Sequence, residues 1–342
     1  MKELLTAKKL AVRTALALGI LAGVMLVCSL IGTESVSLKA VFSTDTQKAV
    51  NPDYEIFVRV RLPRIVLAAL VGAALASAGV VFQAILRNPL ADPYILGISS
   101  GAGLGATIVV VSGLSWTLWG HSPIAVFAFV GALGTVLLVW FISRLTGKFH
   151  ITGLLLAGVV VNAFFSSVIM FLTSVVKSQK VYATIFWLMG NMTEEGFLVL
   201  WLAAGCIVGG ISALFYIGPQ LNALSFTDDD ARSMGVNPAK TRIIAFAAAA
   251  FITAIAVSLS GLIGFVGLVV PHSVRLIFGP DHRQSIPLSA IAGAIFLVIA
   301  DTVARLIVAP AQLPVGVVTA IVGGPFFLIL LVRCSKKVGW LK

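Results

Sequence analysis

Five long stretches of this chain carry no charged side chain, and they limit its possible folds more than any other feature. No Asp, Glu, Lys or Arg occurs in residues 93–143, 149–176, 196–227, 243–274 or 306–332. Each stretch is longer than the roughly 20 residues that an α-helix needs to cross the hydrocarbon core of a bilayer. Ordinary soluble chains are about 45–50% apolar and about 25% charged, whereas this one is 59% apolar and 11% charged. The pattern excludes a soluble protein and predicts one that crosses the membrane several times.

The membrane-crossing segments are predicted to be helices rather than the strands of a barrel. Barrel strands alternate apolar and polar residues over about ten positions, and runs such as 65–86 do not alternate. A helix also satisfies its own backbone hydrogen bonds within lipid. The sequence therefore predicts an all-α polytopic membrane protein of about ten transmembrane helices, in one domain that spans residues 1–342. The helices are expected at 14–32, 64–86, 96–114, 123–143, 151–174, 196–217, 242–260, 262–278, 285–308 and 314–333.

The distribution of basic residues predicts the orientation of these helices. When the N-terminus is placed in the cytoplasm and the helices alternate, twice as many Lys and Arg residues fall inside as outside. This excess satisfies the positive-inside rule and places both termini in the cytoplasm. The net charge of +11 then reflects topology and contact with anionic lipid. We therefore expect the lipid bilayer, and no nucleic acid, as a partner.

Motifs for ATP hydrolysis, metal binding or nucleophilic catalysis are absent from the sequence. Gly147 and Lys148 are followed by Phe149, so no phosphate-binding GxxxxGK[ST] loop is present. The four histidines show no metal-ligand spacing. We therefore expect no catalytic residue, no metal and no cofactor, and any energy source must belong to another subunit. An ion-coupled secondary transporter and an intramembrane enzyme are the alternatives. Both need ionisable groups within the spans, and Asp301 is the nearest case.

Arginines are concentrated at one place on the predicted outer side. Arg59, Arg61 and Arg64 lie at the start of the second predicted helix, and Arg305 lies near the outer end of the ninth. Asp301 precedes Arg305 by one helical turn, in the favourable order for an ion pair. Two interpretations are open. The arginines either reach lipid headgroups along apolar stems or form a docking surface for an acidic partner.

The segment 219–242 is the one substantial polar stretch placed in the cytoplasm. Thr227 is followed three residues later by Asp230, which is typical of a helix N-terminal capping box. Gly235 fits a helix stop, and Asn237 before Pro238 fits the start of another helix. The sequence predicts two short helices joined by a glycine turn. Such a structured loop favours a surface that transmits force to a cytosolic partner.

Several long motifs, in the same order along the chain, resemble those of one family. They include RLPR at 61–64, GAALASAGVVFQAILRNPLADPYILGISSGAG at 72–103, SGLIGFVGLVVPH at 260–272 and LPVGVVTAIVGGPFF at 313–327. From about Arg59 to the C-terminus the chain resembles the membrane permeases of ABC importers for iron–siderophore, haem and vitamin B12, the FecCD family. The first 50 residues contain none of these motifs and resemble the family only in their general character.

The resemblance implies a function, an assembly and a location. The chain would be a permease subunit that moves such a substrate into the cytoplasm, as a homodimer of ten-helix subunits with the pathway at their interface. Two ATP-binding cassette ATPase subunits would bind below and hydrolyse ATP, and an extracytoplasmic solute-binding protein would dock outside. The complex would lie in a bacterial or archaeal cell membrane. Nothing in the spans selects haem over a siderophore or cobalamin.

The resemblance also implies three groups of functional residues. Binding-protein docking maps onto Arg61, Arg64 and Arg305, to which Arg59 is added because it lies just before the RLPR motif. The inner gate maps onto Asn88, Leu90, Ile151 and Thr152. ATPase coupling maps onto 224–235, where the implied residues are Asp228, Asp229, Asp230, Arg232, Ser233, Met234 and Gly235.

One departure from the family pattern concerns the coupling segment. Related chains often have Leu-Gly before a loop acid, whereas here Ser225, Phe226 and Thr227 precede the run of aspartates. Which of the acids faces the ATPase is therefore open.

Overall fold

The computed structural model describes residues 6–34, 36–41, 51–116, 122–145, 151–192 and 196–338. Within these ranges the chain is helical and contains no strand, which confirms the all-α prediction. The α-helices are α1 (Ala7–Leu30), α2 (Leu38–Val41), α3 (Pro52–Tyr54), α4 (Leu62–Ile85), α5 (Ile98–Ser112), α6 (Pro123–Leu145), α7 (Ile151–Ser174), α8 (Ser178–Leu188), α9 (Phe197–Tyr216), α10 (Gly218–Ala223), α11 (Asp228–Ser233), α12 (Pro238–Ser260), α13 (Val266–Phe278), α14 (His282–Leu306) and α15 (Val315–Val338). A π-helical segment, Glu55–Arg61, joins α3 to α4, and a 3₁₀ turn, Pro93–Leu96, precedes α5.

Seven helical stretches in the described ranges are long and apolar enough to cross a membrane. They are Ala7–Leu30, Pro52–Ile85, Pro123–Leu145, Thr152–Ser174, Phe197–Tyr216, Pro238–Ser260 and His282–Leu306. Three apolar helices are shorter, namely Ile98–Ser112, Val266–Phe278 and Val315–Ile329. Each stretch overlaps one predicted span, but the shorter helices fall below the roughly 20 residues of a full crossing. The total of about ten crossings, the single domain and the cytoplasmic position of both termini stay predictions.

The helix α4 lies at the centre of the fold. Its Ala- and Gly-rich sequence is buried along most of its length, and it contacts α9, α12, α13 and α14. Small residues allow two helix backbones to approach closely. A Cβ atom added to Gly72 would collide with the backbone of Gly293 in α14, and one added to Gly79 would collide with the backbone of Gly267 in α13. These glycines therefore set the spacing of the helices around α4.

The helix predicted at 262–278 begins later than expected, because α13 starts only at Val266. Residues 261–265 join α12 to α13 without helical geometry, and we call them the break. Gly261 and Phe265 both have a positive φ, of 66° and 68°. A positive φ is open to glycine but rare for a bulky residue. The predicted end of a helix at residue 260 is confirmed, whereas the absence of helix at residues 262–265 was not predicted.

The polar segment 219–242 differs in part from its prediction. Its first predicted helix is present as α11, but the second is wrong. Asn237 caps α12, which continues to Ser260 instead of ending after a short run. A different short helix, α10, precedes α11. The irregular region at 177–195, for which no helix was predicted, contains α8.

Candidate coupling and docking sites

One carboxylate holds two arginines where the start of α4 meets the end of α14. Arg64 Nε donates to both carboxylate oxygens of Asp301, at 3.0 and 3.2 Å, and Arg305 Nε donates to Oδ2 at 3.1 Å. Arg64 Nη1 also donates to Gln312 Oε1 at 2.8 Å. Asp301 is 1% exposed, and both arginines are buried. The predicted pairing of Asp301 with Arg305 is confirmed, whereas nothing in the sequence indicated that Arg64 shares the same carboxylate.

Arg61 is bound to the end of α1 rather than to a carboxylate. Its Nη1 donates to the backbone carbonyl oxygens of Ser29 and Leu30, each at 3.2 Å, and its Nη2 donates to the carbonyl oxygen of Glu34. A cation at a helix C-terminus stabilises carbonyl groups that have no partner within the helix. Arg61 therefore connects α1 to the segment that leads into α4.

Arg59 differs from the other predicted docking residues because it is exposed. Its side chain is 67% exposed and pairs with Glu55 one turn earlier at 3.2 Å. Arg61, Arg64 and Arg305 are instead buried and bonded within the chain. Of the four, Arg59 alone presents a free surface in the described part of the chain. The docking role of all four stays a prediction.

The four residues predicted at the inner gate lie on two segments of the chain, the connection after α4 and the start of α7. Asn88 and Leu90 follow α4, and Asn88 Oδ1 accepts a hydrogen bond from the Leu90 backbone N–H at 2.9 Å. Thr152 is exposed in the first turn of α7, whereas the side chain of Ile151 lies outside the described residues. The helix α7 packs against the 3₁₀ turn Pro93–Leu96. Their role as a gate stays a prediction.

The N-terminus of α11 carries the predicted capping box. Thr227 Oγ1 accepts a hydrogen bond from the Asp230 backbone N–H at 3.2 Å, and Asp230 Oδ2 accepts one from the Thr227 backbone N–H at 3.2 Å. The Thr227 hydroxyl also donates to Asp230 Oδ2 at 2.7 Å. These bonds to its ionised form hold the pKa of Asp230 below its ordinary value. The side chain of Asp230 is therefore used in forming α11.

Asp228 is bonded to two other parts of the chain. Arg242, at the start of α12, donates to both its oxygens, at 2.9 and 2.6 Å. Arg87, just after α4, donates to Oδ1 at 3.0 Å. The hydrogen bonds from Arg242, together with the charges of both arginines, lower the pKa of Asp228. Asp228 is therefore bonded to the start of α12 and to the segment after α4, while its side chain remains 38% exposed.

Asp229 is exposed to solvent, and its side chain takes no part in capping α11. Its side chain is 89% exposed and pairs with the exposed Arg232 at 3.0 Å. An exposed pair contributes little to stability, which leaves both groups available to a partner. The Ser233 hydroxyl donates to the Asp229 carbonyl oxygen at 3.0 Å, Met234 is 59% exposed, and Gly235 ends the turn with a φ of 78°. The geometry thus distinguishes three acids that the sequence could not.

Two further connections were missed by sequence reasoning. The Tyr94 hydroxyl donates to the Ile263 carbonyl oxygen at 3.0 Å and accepts from the Ile263 backbone N–H at 3.1 Å. No residue spacing could have predicted this contact, because the two residues belong to distant motifs. It ties the segment after α4 to the break.

The second missed connection joins α10 to the start of α14. Asn222 Nδ2 donates to Asp281 Oδ1 at 2.8 Å, and the His282 backbone N–H donates to Asn222 Oδ1 at 2.8 Å. Burial by itself would raise the pKa of Asp281, but hydrogen bonds from Arg283 and Asn222 outweigh it and lower the pKa. Asp281 caps the N-terminus of α14, which begins at His282, three residues before the helix predicted at 285–308. An aspartate shortly before a predicted helix was the available signal.

A model of the FecCD transport family matches residues 20–333 of this chain. The chain belongs to the FecCD transport family. The predicted resemblance is therefore confirmed, and it begins earlier than Arg59, since the match includes the C-terminal part of α1.

Relatives of this FecCD protein cover most of its length. It is 38% identical over 315 residues to the hemin transport system permease protein HmuU of Yersinia pestis. The aligned region covers 90% of this chain and 91% of that relative. It is 43% identical over 272 residues to the cobalamin import system permease protein BtuC of Halobacterium salinarum, and this aligned region covers 80% of this chain and 72% of that relative. The solved structure of an inward-facing metal-chelate type ABC transporter superposes with a TM-score of 0.81 at 29% identity, covering 93% of this chain and 99% of that one.

These similarities establish the class and location of the FecCD chain. It has the ABC permease fold and belongs to a family of transport permease subunits rather than enzymes. It is a membrane protein of the bacterial or archaeal inner membrane.

Proposed function

We propose that this chain is the membrane-spanning permease subunit of a binding-protein-dependent ABC importer. Two copies form a homodimer with the pathway at their interface. Two ATPase subunits bind the cytoplasmic side and hydrolyse ATP, and an extracytoplasmic solute-binding protein delivers the substrate. An iron–siderophore complex, haem or cobalamin is the substrate class. Relatives that are named for hemin, cobalamin and iron chelates support this choice.

The observation that carries the proposal is the exposed face of α11 on a chain without an ATP-binding loop. Asp229, Arg232 and Met234 are exposed together, while Asp228 and Asp230 are bonded within the chain. A capped helix with one face bonded to the protein and the other exposed is suited to contact a second protein. Nucleotide-driven movement of that partner would then bias a two-state arrangement of helices.

The alternative of an ion-coupled secondary transporter receives no support from the structure. Such a carrier needs an intramembrane acid that can bind and release a cation. Asp301, the nearest candidate, is held by both Arg64 and Arg305. Both oxygens of this carboxylate accept hydrogen bonds from guanidinium groups.

The experiment that tests the proposal is uptake into proteoliposomes containing the chain, its ATPase subunits and its binding protein. Haemin, cyanocobalamin and a ferric siderophore are supplied in parallel. We expect one of the three to accumulate with ATP and none to accumulate when the ATPase subunits are left out. Accumulation driven by a proton or sodium gradient, without the ATPase subunits, would instead identify a secondary transporter.

Reversing the charge of Asp229 is expected to weaken binding of the ATPase subunits. An Asp229→Lys variant should lose roughly threefold to tenfold in affinity, because a charge at the rim of an interface is reversed. Binding is measured by surface plasmon resonance on the chain in nanodiscs. Asp53→Lys changes an aspartate on the predicted opposite side and should bind normally. Equal binding by both variants would show that α11 is not the contact surface.

Reversing the charge of Arg59 is expected to weaken docking of the binding protein without harming the fold. Arg59 is exposed and pairs only weakly with Glu55. The loss of affinity in Arg59→Glu should be larger at low salt, where exposed charges are screened least. Lys240→Glu, an exposed change on the predicted cytoplasmic side, serves as the control. Association that stays normal at every salt concentration would assign Arg59 to lipid headgroups.

A further inference from the structure

The segment 86–97, which follows α4, is fastened to α11 through one arginine. Arg87 Nη2 donates to the backbone carbonyl oxygens of Leu224 and Phe226, at 3.1 and 2.6 Å, and to Asp228 Oδ1 at 3.0 Å. These acceptors are the end of α10, the connection to α11 and the first residue of α11. A single guanidinium group therefore binds the connection between α10 and α11 together with the first residue of α11.

The backbone of Arg87 is held in an unusual conformation. Its φ is 47°, in the left-handed region that non-glycine residues seldom adopt. The Arg87 backbone N–H donates to the Ala84 carbonyl oxygen at 3.2 Å, and the Asn88 N–H donates to the Gln83 carbonyl oxygen at 3.1 Å, so the turn is closed at the end of α4. Backbone strain of this kind persists only where surrounding contacts determine it.

The other end of the segment is fastened to the break. The Tyr94 hydroxyl makes two hydrogen bonds with the backbone of Ile263. Helical hydrogen bonds reach only the two ends of the break, where the Gly261 N–H donates to Val257 and the Phe265 carbonyl oxygen accepts from Val269. Gly261 and Phe265 also hold positive φ values there. Its conformation consequently depends on contacts such as this one.

The segment between these two ends is stiff. Pro89 and Pro93 restrict its backbone, and Asp92 accepts a hydrogen bond from the Tyr94 N–H at 2.8 Å. Gln83 Nε2 lies 3.3 Å from the Ala91 carbonyl oxygen and 3.4 Å from that of Gly267. A displacement of Arg87 should therefore move Tyr94 as well, because the residues between them cannot easily change conformation.

We propose that segment 86–97 is a mechanical relay, in which Arg87 receives the movement of α11 and Tyr94 passes it to the break between α12 and α13. The relay rests on the proposed function, since it gives α11 a route into the membrane-spanning helices. Arg87 and Tyr94 are positioning residues, because both act through backbone groups of other elements. A physical connection with two fastened ends is the kind of contact that carries coupling between distant sites.

The first test measures the connection in the chain alone, before any partner is added. Amide hydrogen exchange is followed by mass spectrometry on the chain in nanodiscs. We expect Arg87→Asn, which tolerates a left-handed φ, to raise the exchange of residues 261–265 by about threefold or more, although residue 87 does not touch them. Tyr94→Phe, which removes the hydroxyl, should have the same effect. Exchange in α6 should not change in either variant.

Matched controls distinguish the proposed route through segment 86–97 from an alternative route through Arg242 and α12. Arg242→Gln removes the other guanidinium group from Asp228 and acts on α12 directly. It should leave exchange in the break unchanged, and Arg87→Lys should give an intermediate effect because it keeps the charge but loses the guanidinium group. An effect of Arg242→Gln without one of Arg87→Asn would place the route in α12 and overturn the relay. Unchanged exchange in Arg87→Asn would overturn it as well.

The second test uses the assembled importer and the substrate that the wild-type complex accumulates. Arg87→Asn and Tyr94→Phe should assemble and hydrolyse ATP, but the substrate imported per ATP should fall about threefold or more. Tyr216→Phe, an exposed change on α9, should match the wild type. Normal coupling in both relay variants would refute the relay alone, whereas a wild-type complex without ATP-dependent uptake would refute the proposed function and leave the exchange result standing.

Discussion

An Asp301→Ala variant is expected to lose about 3–5 kcal/mol of the free energy of unfolding. The substitution leaves the guanidinium groups of Arg64 and Arg305 without their carboxylate, in a place where their side chains are only 7% and 10% exposed. Two like charges that are buried without a counter-charge cost far more than the ion pair itself contributes. The loss is measured by denaturant unfolding of the purified chain in detergent micelles, followed by tryptophan fluorescence.

The control for this prediction lies at the same end of the molecule. Glu55→Ala also deletes a carboxylate that pairs with an arginine, but the side chains of Arg59 and Glu55 are 67% and 39% exposed. This change should cost less than about 1 kcal/mol, because water replaces the partner. Similar losses in the two variants would show that Arg64 and Arg305 are more accessible to water than their burial in the structure indicates.

The membrane class and the positions of the spans could be predicted from the sequence because lipid imposes a simple rule. A helix must present roughly 20 apolar residues to cross the bilayer, and every helix of that kind in the described ranges overlaps a predicted span. The pairing of Asp301 with Arg305 and the capping box at Thr227 were predictable for a similar reason, since both depend only on spacing within one helix.

The tertiary connections could not be predicted because they join residues that are distant in the sequence. Arg64 and Asp301 are separated by 237 positions, and Tyr94 and Ile263 by 169. The helix boundary at residue 260 was predicted, but the length of the break was missed because its apolar residues continue the hydrophobic pattern of the helices on either side. The backbone geometry at Gly261 and Phe265 shows that the next helix begins only at Val266.

The roles of the aspartates in α11 show how local rules and tertiary contacts combine. The capping rule alone assigns Asp230 to the helix terminus, as the structure confirms. It cannot separate Asp228 from Asp229, because it does not say which side of α11 packs against the rest of the protein. The position of α11 against Arg87 and Arg242 decides that Asp228 faces the protein.

A single methyl group added to the centre of α4 is expected to be strongly destabilising. In Gly79→Ala the new Cβ atom would lie closer to the backbone of Gly267 than the 3.0 Å that real Cβ atoms keep. The obstacle is backbone rather than a flexible side chain, so α4 and α13 must move apart. Overpacking of this kind should cost about 3 kcal/mol or more. It is measured as the loss of unfolding free energy in the same micelle assay.

The matched control is the same substitution on a helix face that has no neighbour. A Cβ atom added to Gly209 in α9 meets nothing within 4 Å. Gly209→Ala should therefore be neutral or stabilise the chain by up to about 1 kcal/mol, because alanine is the better helix former. A Gly79→Ala variant as stable as Gly209→Ala would mean that α4 and α13 do not approach closely. The spacing of α13, and with it the placement of the break beside Tyr94, would then be wrong.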